Sequence, residues 1–131
     1  MGKLDKSVVI VASGLMLLHF NARASELSFA DRVEAQRRIE QIYYSHQIGV
    51  STPFESAIDG AFLERKVRTY LKESSALEQY WGTPVTAHML ERELERIAAG
   101  TRLLSRLKEV YAALGNDPVL IQETFVRGIL V

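Results

Sequence analysis

The sequence has no cysteine among its 131 residues. Disulfide bridges, zinc–thiolate sites and cysteine nucleophiles are therefore excluded. Proline is also scarce, with only three residues, and each stands between segments of helical periodicity or at the start of one. Burial of apolar side chains and the packing of helices must therefore stabilise the fold.

The chain also lacks an excess of charge of either sign, with 16 basic and 16 acidic residues. Nucleic-acid binding usually needs a basic face, so we expect no nucleic-acid partner. Phosphate-binding glycine loops, G-x-S-x-G elbows and H-E-x-x-H pairs are absent from the sequence. We therefore expect no cofactor, no metal ion and no enzymatic activity.

The start of the chain has the pattern of a secretory signal peptide. Lys3 and Lys6 precede an apolar run over 7–20, and Ala-Arg-Ala follows at 22–24. This pattern predicts a signal over residues 1–24 and one mature helical domain over 25–131, in the periplasm or secreted. The apolar run is short for a membrane span, which needs about 20 residues. The alternative is that this segment is an uncleaved membrane anchor or a buried helix.

The rest of the chain predicts an all-α fold of about five helices in one compact domain, because no segment alternates like a strand. Ser28 and Asp31 form a capping-box pattern, and Pro118 fits the first position of a helix. Residues 45–58 interrupt the helical pattern. In the fourth helix, Leu103 is expected to face the core. The predicted helices run from Ser28 to Ser45, about Asp59 to Tyr80, Thr86 to Gly100, about Arg102 to Leu114, and from Asp117 onward.

From residue 62 to the end, the order of elements suggests a known family. A long helix over 62–71 is followed by a Gly-Thr-Pro-Val-Thr link at 82–86, a helix over 89–98 and an apolar cluster at 129–131. Val-Thr-Ala-His-Met-Leu over 85–90 matches the family's V-[ST]-x-x-x-[LV] helix start. This order resembles the N-terminal chaperone module of SurA-type periplasmic foldases and parvulin-type prolyl isomerases.

The resemblance implies binding of unfolded polypeptide without ATP. It does not carry isomerase activity over, because no parvulin catalytic domain is present in this sequence. The family's module is completed by a distant helix, which this sequence also lacks, so the chain is expected to be a stand-alone or truncated relative. An apolar cleft is then expected beside Phe125, Ile129, Leu130 and Val131.

Aromatic side chains supply the candidate peptide-binding site. Two adjacent pairs stand at predicted helix ends, and neighbours on a helix point about 100° apart, so one member of each pair should be exposed. Flexible Met89 and the aromatic ring of Phe125 are also suited to contact an apolar peptide. The predicted binding residues are Tyr43, Tyr44, Tyr80, Trp81, Met89 and Phe125. Packing in the core is the alternative interpretation, and it is favoured for Phe62, Tyr70, Tyr111 and Phe125.

Two functions follow as expectations. The first is chaperone-like binding of unfolded or extended apolar polypeptide in the periplasm, with no contact with the membrane after signal cleavage. The second is a structural role, in which the chain dimerises or docks on a partner protein through exposed apolar helix faces.

Overall fold

The computed structural model describes residues 22–24 and 26–131, and all its regular elements there are helical. This confirms the predicted all-α class, with five long helical segments. Most of the predicted signal peptide lies outside the described residues. The elements are α1 (Phe29–Ser45), α2 (Phe54–Ala57), α3 (Gly60–Trp81), α4 (Ala87–Gly100), α5 (Leu104–Ala113), α6 (Pro118–Leu120), a π-helical segment π1 (Ile121–Val126) and α7 (Arg127–Leu130).

The predicted helix starts are confirmed where a side chain caps the helix. At α1 the Asp31 N–H donates to Ser28 Oγ over 3.1 Å, and the Ser28 N–H donates to Asp31 Oδ2 over 2.9 Å. Asp59, Thr86 and Asp117 accept main-chain N–H groups at the starts of α3, α4 and α6. Each cap satisfies donors that the first helical turn leaves without a partner.

The fourth helix begins at Leu104, close to its predicted start at about Arg102, and its N-cap Leu103 makes no side-chain cap hydrogen bond. Two local predictions are wrong. The interruption over 45–58 contains the short helix α2. Leu103 is 53% exposed and does not belong to the core.

The core lies where α1, α4, α5 and the C-terminal segments meet. Leu90, Val110 and Val126 are at most 1% exposed there. The other members of this cluster are Ala35, Ile39, Leu107, Leu114, Ile121 and Phe125. The helix α3 packs against α1 outside this cluster, so the fold has a second seam between α1, α3 and the chain end.

The last helical stretch, residues 118–130, widens into π geometry at its centre. The Arg127 N–H donates to the carbonyl of Gln122, five residues back. The Thr124 hydroxyl donates to the Leu120 carbonyl over 2.6 Å. The predicted fifth helix is therefore present but is not a regular α-helix, and such widened turns are often found at functional sites.

Among the described residues, no helix is both long enough and apolar enough to cross a membrane.

Candidate functional site

A groove lined by aromatic rings opens between α1, α3 and the C-terminal helix, with a volume of about 580 Å³. Tyr43 of α1, Phe62 and Tyr70 of α3, and Phe125 of π1 lie in its walls. Ile129 lines the same groove and is 45% exposed. The remaining lining residues are Gln36, Ile39, Glu40, Arg65, Lys66, Thr69, Glu73, Thr124 and Gly128. We call this the aromatic groove.

Helical spacing explains how these side chains come together. Phe62, Lys66 and Tyr70 are four residues apart along α3 and share one face of that helix. Glu40 and Tyr43 are three apart on α1 and share a face for the same reason. Because α1 and α3 pack side by side, the two faces border one groove.

An ion pair joins the two helices at the rim of the aromatic groove. Lys66 Nζ donates to Glu40 Oε1 over 2.6 Å and lies 5.3 Å from the centroid of the Phe62 ring. The Gln36 amide also donates to Glu40 Oε1, over 2.7 Å. Lys66 is 46% exposed and Glu40 only 11%, so the pair bridges the solvent and the interior at the contact of α1 and α3.

The wall of the aromatic groove holds two tyrosines whose acidity is changed by burial. Tyr70 is only 5% exposed, and its hydroxyl has no hydrogen-bond partner of normal geometry among the described residues. Burial raises the pKa of Tyr70 above its ordinary value, while the nearby guanidinium groups of Arg32 and Arg127 oppose that rise. Burial also raises the pKa of Tyr43, and the charge of Glu40 adds to this effect. Both phenols are therefore neutral over the physiological pH range.

Of the six predicted binding residues, the structure places two in the aromatic groove. Tyr43 is 39% exposed there, whereas Phe125 is only 7% exposed and stacks edge-to-face on Tyr111 with ring centroids 6.4 Å apart. Tyr43 and Phe125 also line a smaller cavity of about 240 Å³ with Leu103 and Arg106. The buried position of Phe125 agrees with its core interpretation.

The other four predicted residues lie elsewhere. Tyr44 stacks edge-to-face on Phe54, and its hydroxyl donates to the Thr52 carbonyl over 2.5 Å. Tyr80 and Trp81 stack on each other at the end of α3, where they are 78% and 70% exposed. Met89 is half-buried on α4. The structure therefore does not bring the six residues into one groove.

A second cavity, of about 680 Å³, lies between the later turns of α3, the start of α4 and the C-terminal helix. Arg32, Glu123 and Arg127 line it, and their side chains are 11%, 6% and 14% exposed. The remaining lining residues are Ala24, Leu71, Ser74, Ser75, Glu78, Pro84, Val85, Thr86, Ala87 and His88. We call this the arginine cleft.

The two guanidinium groups in the arginine cleft share one carboxylate. Arg127 Nε and Nη2 donate to the two oxygens of Glu123 over 3.1 and 3.0 Å. Arg32 Nη1 donates to the Glu123 main-chain carbonyl over 2.8 Å, and Arg32 Nη2 lies 3.4 Å from Glu123 Oε2. Arg127 Nη1 also reaches Ser74 Oγ over 3.3 Å. This cluster ties α1 and α3 to the C-terminal helix.

The segment before α1 touches the same region. Arg32 Nη2 lies 3.5 Å from the Ala24 carbonyl oxygen, and Arg23 pairs with Asp117 at 2.5 Å. Within the described part of the chain, no three His, Asp or Glu side chains gather closely enough to hold a metal ion.

Comparison of this chain with known protein families, curated proteins and solved structures finds no match. The resemblance to the SurA-type chaperone module stays a prediction from the sequence.

Sequence reasoning missed most of the two cavities. The i, i+4 spacing of Phe62, Lys66 and Tyr70 was visible, but nothing local showed that this face of α3 borders α1. The i, i+4 pair Glu123–Arg127 was visible too, but Arg32 lies 91 residues from Glu123. Only the tertiary fold brings Arg32 to that pair.

Proposed function

We propose that this protein binds extended apolar polypeptide segments in the aromatic groove, as a chaperone-like module that uses neither ATP nor covalent chemistry. The observation that carries this proposal is the groove itself, with four aromatic rings and the half-exposed Ile129 around about 580 Å³. That volume lies in the usual range for ligand cavities of about 300–1,000 Å³ and suits a few apolar side chains.

The aromatic groove also offers groups that orient a polypeptide. Glu40 and Lys66 at its rim can exchange their mutual ion pair for hydrogen bonds to a peptide main chain, while the rings contact its side chains. Lys66 is 46% exposed and can turn from Glu40 to a bound main chain, while Glu40 keeps the hydrogen bond from Gln36. The groove therefore suits reversible binding with low sequence selectivity.

Binding of a fluorescently labelled apolar peptide to the full chain tests this proposal. Ile129→Asp puts a charge into the groove, and Gly128→Leu fills it from the same wall. Leu104→Asp is the matched control, because Leu104 is 50% exposed and does not line the groove. We expect both groove variants to weaken binding at least tenfold and the control to leave it unchanged. Equal binding by all four proteins would refute the proposal.

We also propose that the chain acts in the periplasm or outside the cell, with residues 1–24 as its export signal. The support is the order of Lys3 and Lys6, the apolar run over 7–20 and the Ala-Arg-Ala triplet at 22–24. Mass spectrometry of the protein expressed in a Gram-negative host should find an N-terminus at Ser25 in the exported fraction. A cytoplasmic product that keeps Met1 would contradict this assignment.

A second candidate function is docking or dimerisation through an exposed apolar face. It is favoured by the high exposure of Tyr80 and Trp81, which stack only on each other at the end of α3. Sedimentation of the wild type and of a Tyr80→Ser, Trp81→Ser double variant distinguishes the two functions. A dimer that the double variant abolishes would support docking, and a monomer that binds peptide would support the chaperone-like role.

A further inference from the structure

The shielded part of the arginine cleft holds more positive than negative groups. Arg32 and Arg127 contribute two positive charges, and Glu123 contributes one negative charge. All three side chains are at least 86% shielded from solvent. Shielded charges in proteins are normally paired, and here two shielded arginines share a single shielded carboxylate.

Two other titratable side chains line the cleft, and neither adds a shielded negative charge. Glu78 lines it but is exposed, and it forms no ion pair within 4.0 Å in the part of the chain the structure describes. His88 also lines it, and protonation of its ring would add positive charge.

The guanidinium groups keep donors for a further oxygen ligand. An arginine side chain has five N–H donors, and Arg32 and Arg127 each make three contacts in the structure. A main-chain oxygen is already within reach of one of them, because the Ala24 carbonyl lies 3.5 Å from Arg32 Nη2. Polypeptide oxygen atoms therefore fit beside this pair of arginines.

We propose that the arginine cleft binds a carboxylate of a polypeptide ligand between Arg32 and Arg127. Guanidinium groups match carboxylates in charge and in planar geometry, and such hydrogen bonds are stronger than neutral ones. The inference rests on the proposed function only in taking the ligand to be a polypeptide. The carboxylate is either the chain end of that ligand or an acidic side chain within it.

The test uses three labelled peptides with the full chain. The first is acetyl-Leu-Phe-Ala-Leu-Ala with a free carboxyl end, the second is its C-terminal amide, and the third is an amide with Glu in place of the central Ala. We expect the free acid to bind about tenfold tighter than the neutral amide. Tight binding of the third peptide would assign the site to acidic side chains, and weak binding would assign it to chain ends.

Arg32→Gln should reduce the affinity for the free acid to that of the amide and leave the amide unchanged. Arg68→Gln is the charge-matched control, since Arg68 is 59% exposed, pairs with Glu64 and lies outside the cleft. If Arg32→Gln does not fold, the acid and amide peptides on the wild-type chain decide alone. Equal binding of all three peptides would overturn this inference and keep the proposed function, whereas no binding of any would overturn both.

Discussion

At the scale of single residues, arginine neighbours shift the acidity of Glu34 on α1. Arg37 Nε and Nη2 donate to its two carboxylate oxygens over 2.8 and 2.7 Å, and Arg38 Nε donates over 3.0 Å. The hydrogen bonds from Arg37 lower the pKa of Glu34 from 4.5 to about 2. The folded state therefore holds the Glu34 carboxylate charged to lower pH than the unfolded chain does.

This shift predicts a pH dependence of the free energy of unfolding. The contribution of Glu34 is fully present above about pH 4.5 and is lost as the pH falls towards 2. Because Glu34 is 42% exposed, Glu34→Gln should cost at most about 1 kcal/mol at pH 7 and almost nothing near pH 2. Urea unfolding at both pH values measures this, with Glu95→Gln as a control for net charge. A cost that is equal at the two pH values would contradict the assignment.

At the scale of elements, the start of the C-terminal helix depends on Asp117. Its Oδ1 accepts the N–H groups of Val119 and Leu120 over 3.0 and 3.3 Å, and its Oδ2 pairs with Arg23. Asp117→Ala should lower the free energy of unfolding by about 1 kcal/mol, within the range of about 0.5–2 for lost caps. Asp117→Asn keeps the cap and removes the charge, so it should cost much less. Chemical denaturation of the two variants, in the chain that keeps residues 1–24, separates the cap from the ion pair with Arg23.

Two glycines should respond to alanine in opposite directions. Gly82 ends α3 with a φ of +61°, where an alanine side chain is strained even though the space around it is open, so Gly82→Ala should destabilise by about 1 kcal/mol. Gly128 is helical, and a Cβ there would meet Tyr70 Cδ1 at an ordinary 3.7 Å. Gly128→Ala should therefore stabilise by about 0.4–1 kcal/mol. Thermal unfolding of the two variants measures these changes. A melting temperature that moves in the same direction in both variants would contradict the backbone conformation of one of the two glycines.

Helix ends were predictable because their signals are local. A capping residue such as Ser28, Asp59, Thr86 or Asp117 lies within three residues of the N–H group it serves. The π geometry of π1 was not predictable in the same way, since Ile121–Val126 has the apolar pattern of an ordinary helix. Its widened turn fits contacts with α1 and α4, which the local sequence does not encode.

At the scale of the whole molecule, one central contact region joins most of the helices. Leu90 of α4 is fully buried in the core cluster, whereas Leu103 is 53% exposed despite its apolar character. Leu90→Ala should lower the free energy of unfolding by about 2–5 kcal/mol through lost burial and a cavity. Leu103→Ala should change it by less than about 0.5 kcal/mol. Urea unfolding measures both variants. Equal losses of the free energy of unfolding would contradict the burial of Leu90 and the exposure of Leu103.

The candidate sites were less predictable than the fold because they depend on which helices become neighbours. Tyr43 and Phe125 reach the aromatic groove from elements about 80 residues apart, whereas Tyr80 and Trp81 remain at a free helix end. The adjacent-pair pattern predicted that one of Tyr80 and Trp81 would be exposed, and both are. The predicted common groove for the six residues did not form, because exposure follows from position on one helix whereas a groove needs several helices.

The widened turn at Ile121–Val126 also determines where a change of chain length would be accepted during evolution. A π turn holds one residue more between hydrogen-bonded groups than an α turn does. Loss of one residue there would let the helix close as α with both flanks in place, whereas the same loss elsewhere rotates all later side chains by about 100°. Descendants without that residue would keep the helical segments on both sides in register. The widened turn is thus the place in the C-terminal helix where a chain one residue shorter would leave the packing of both flanks intact.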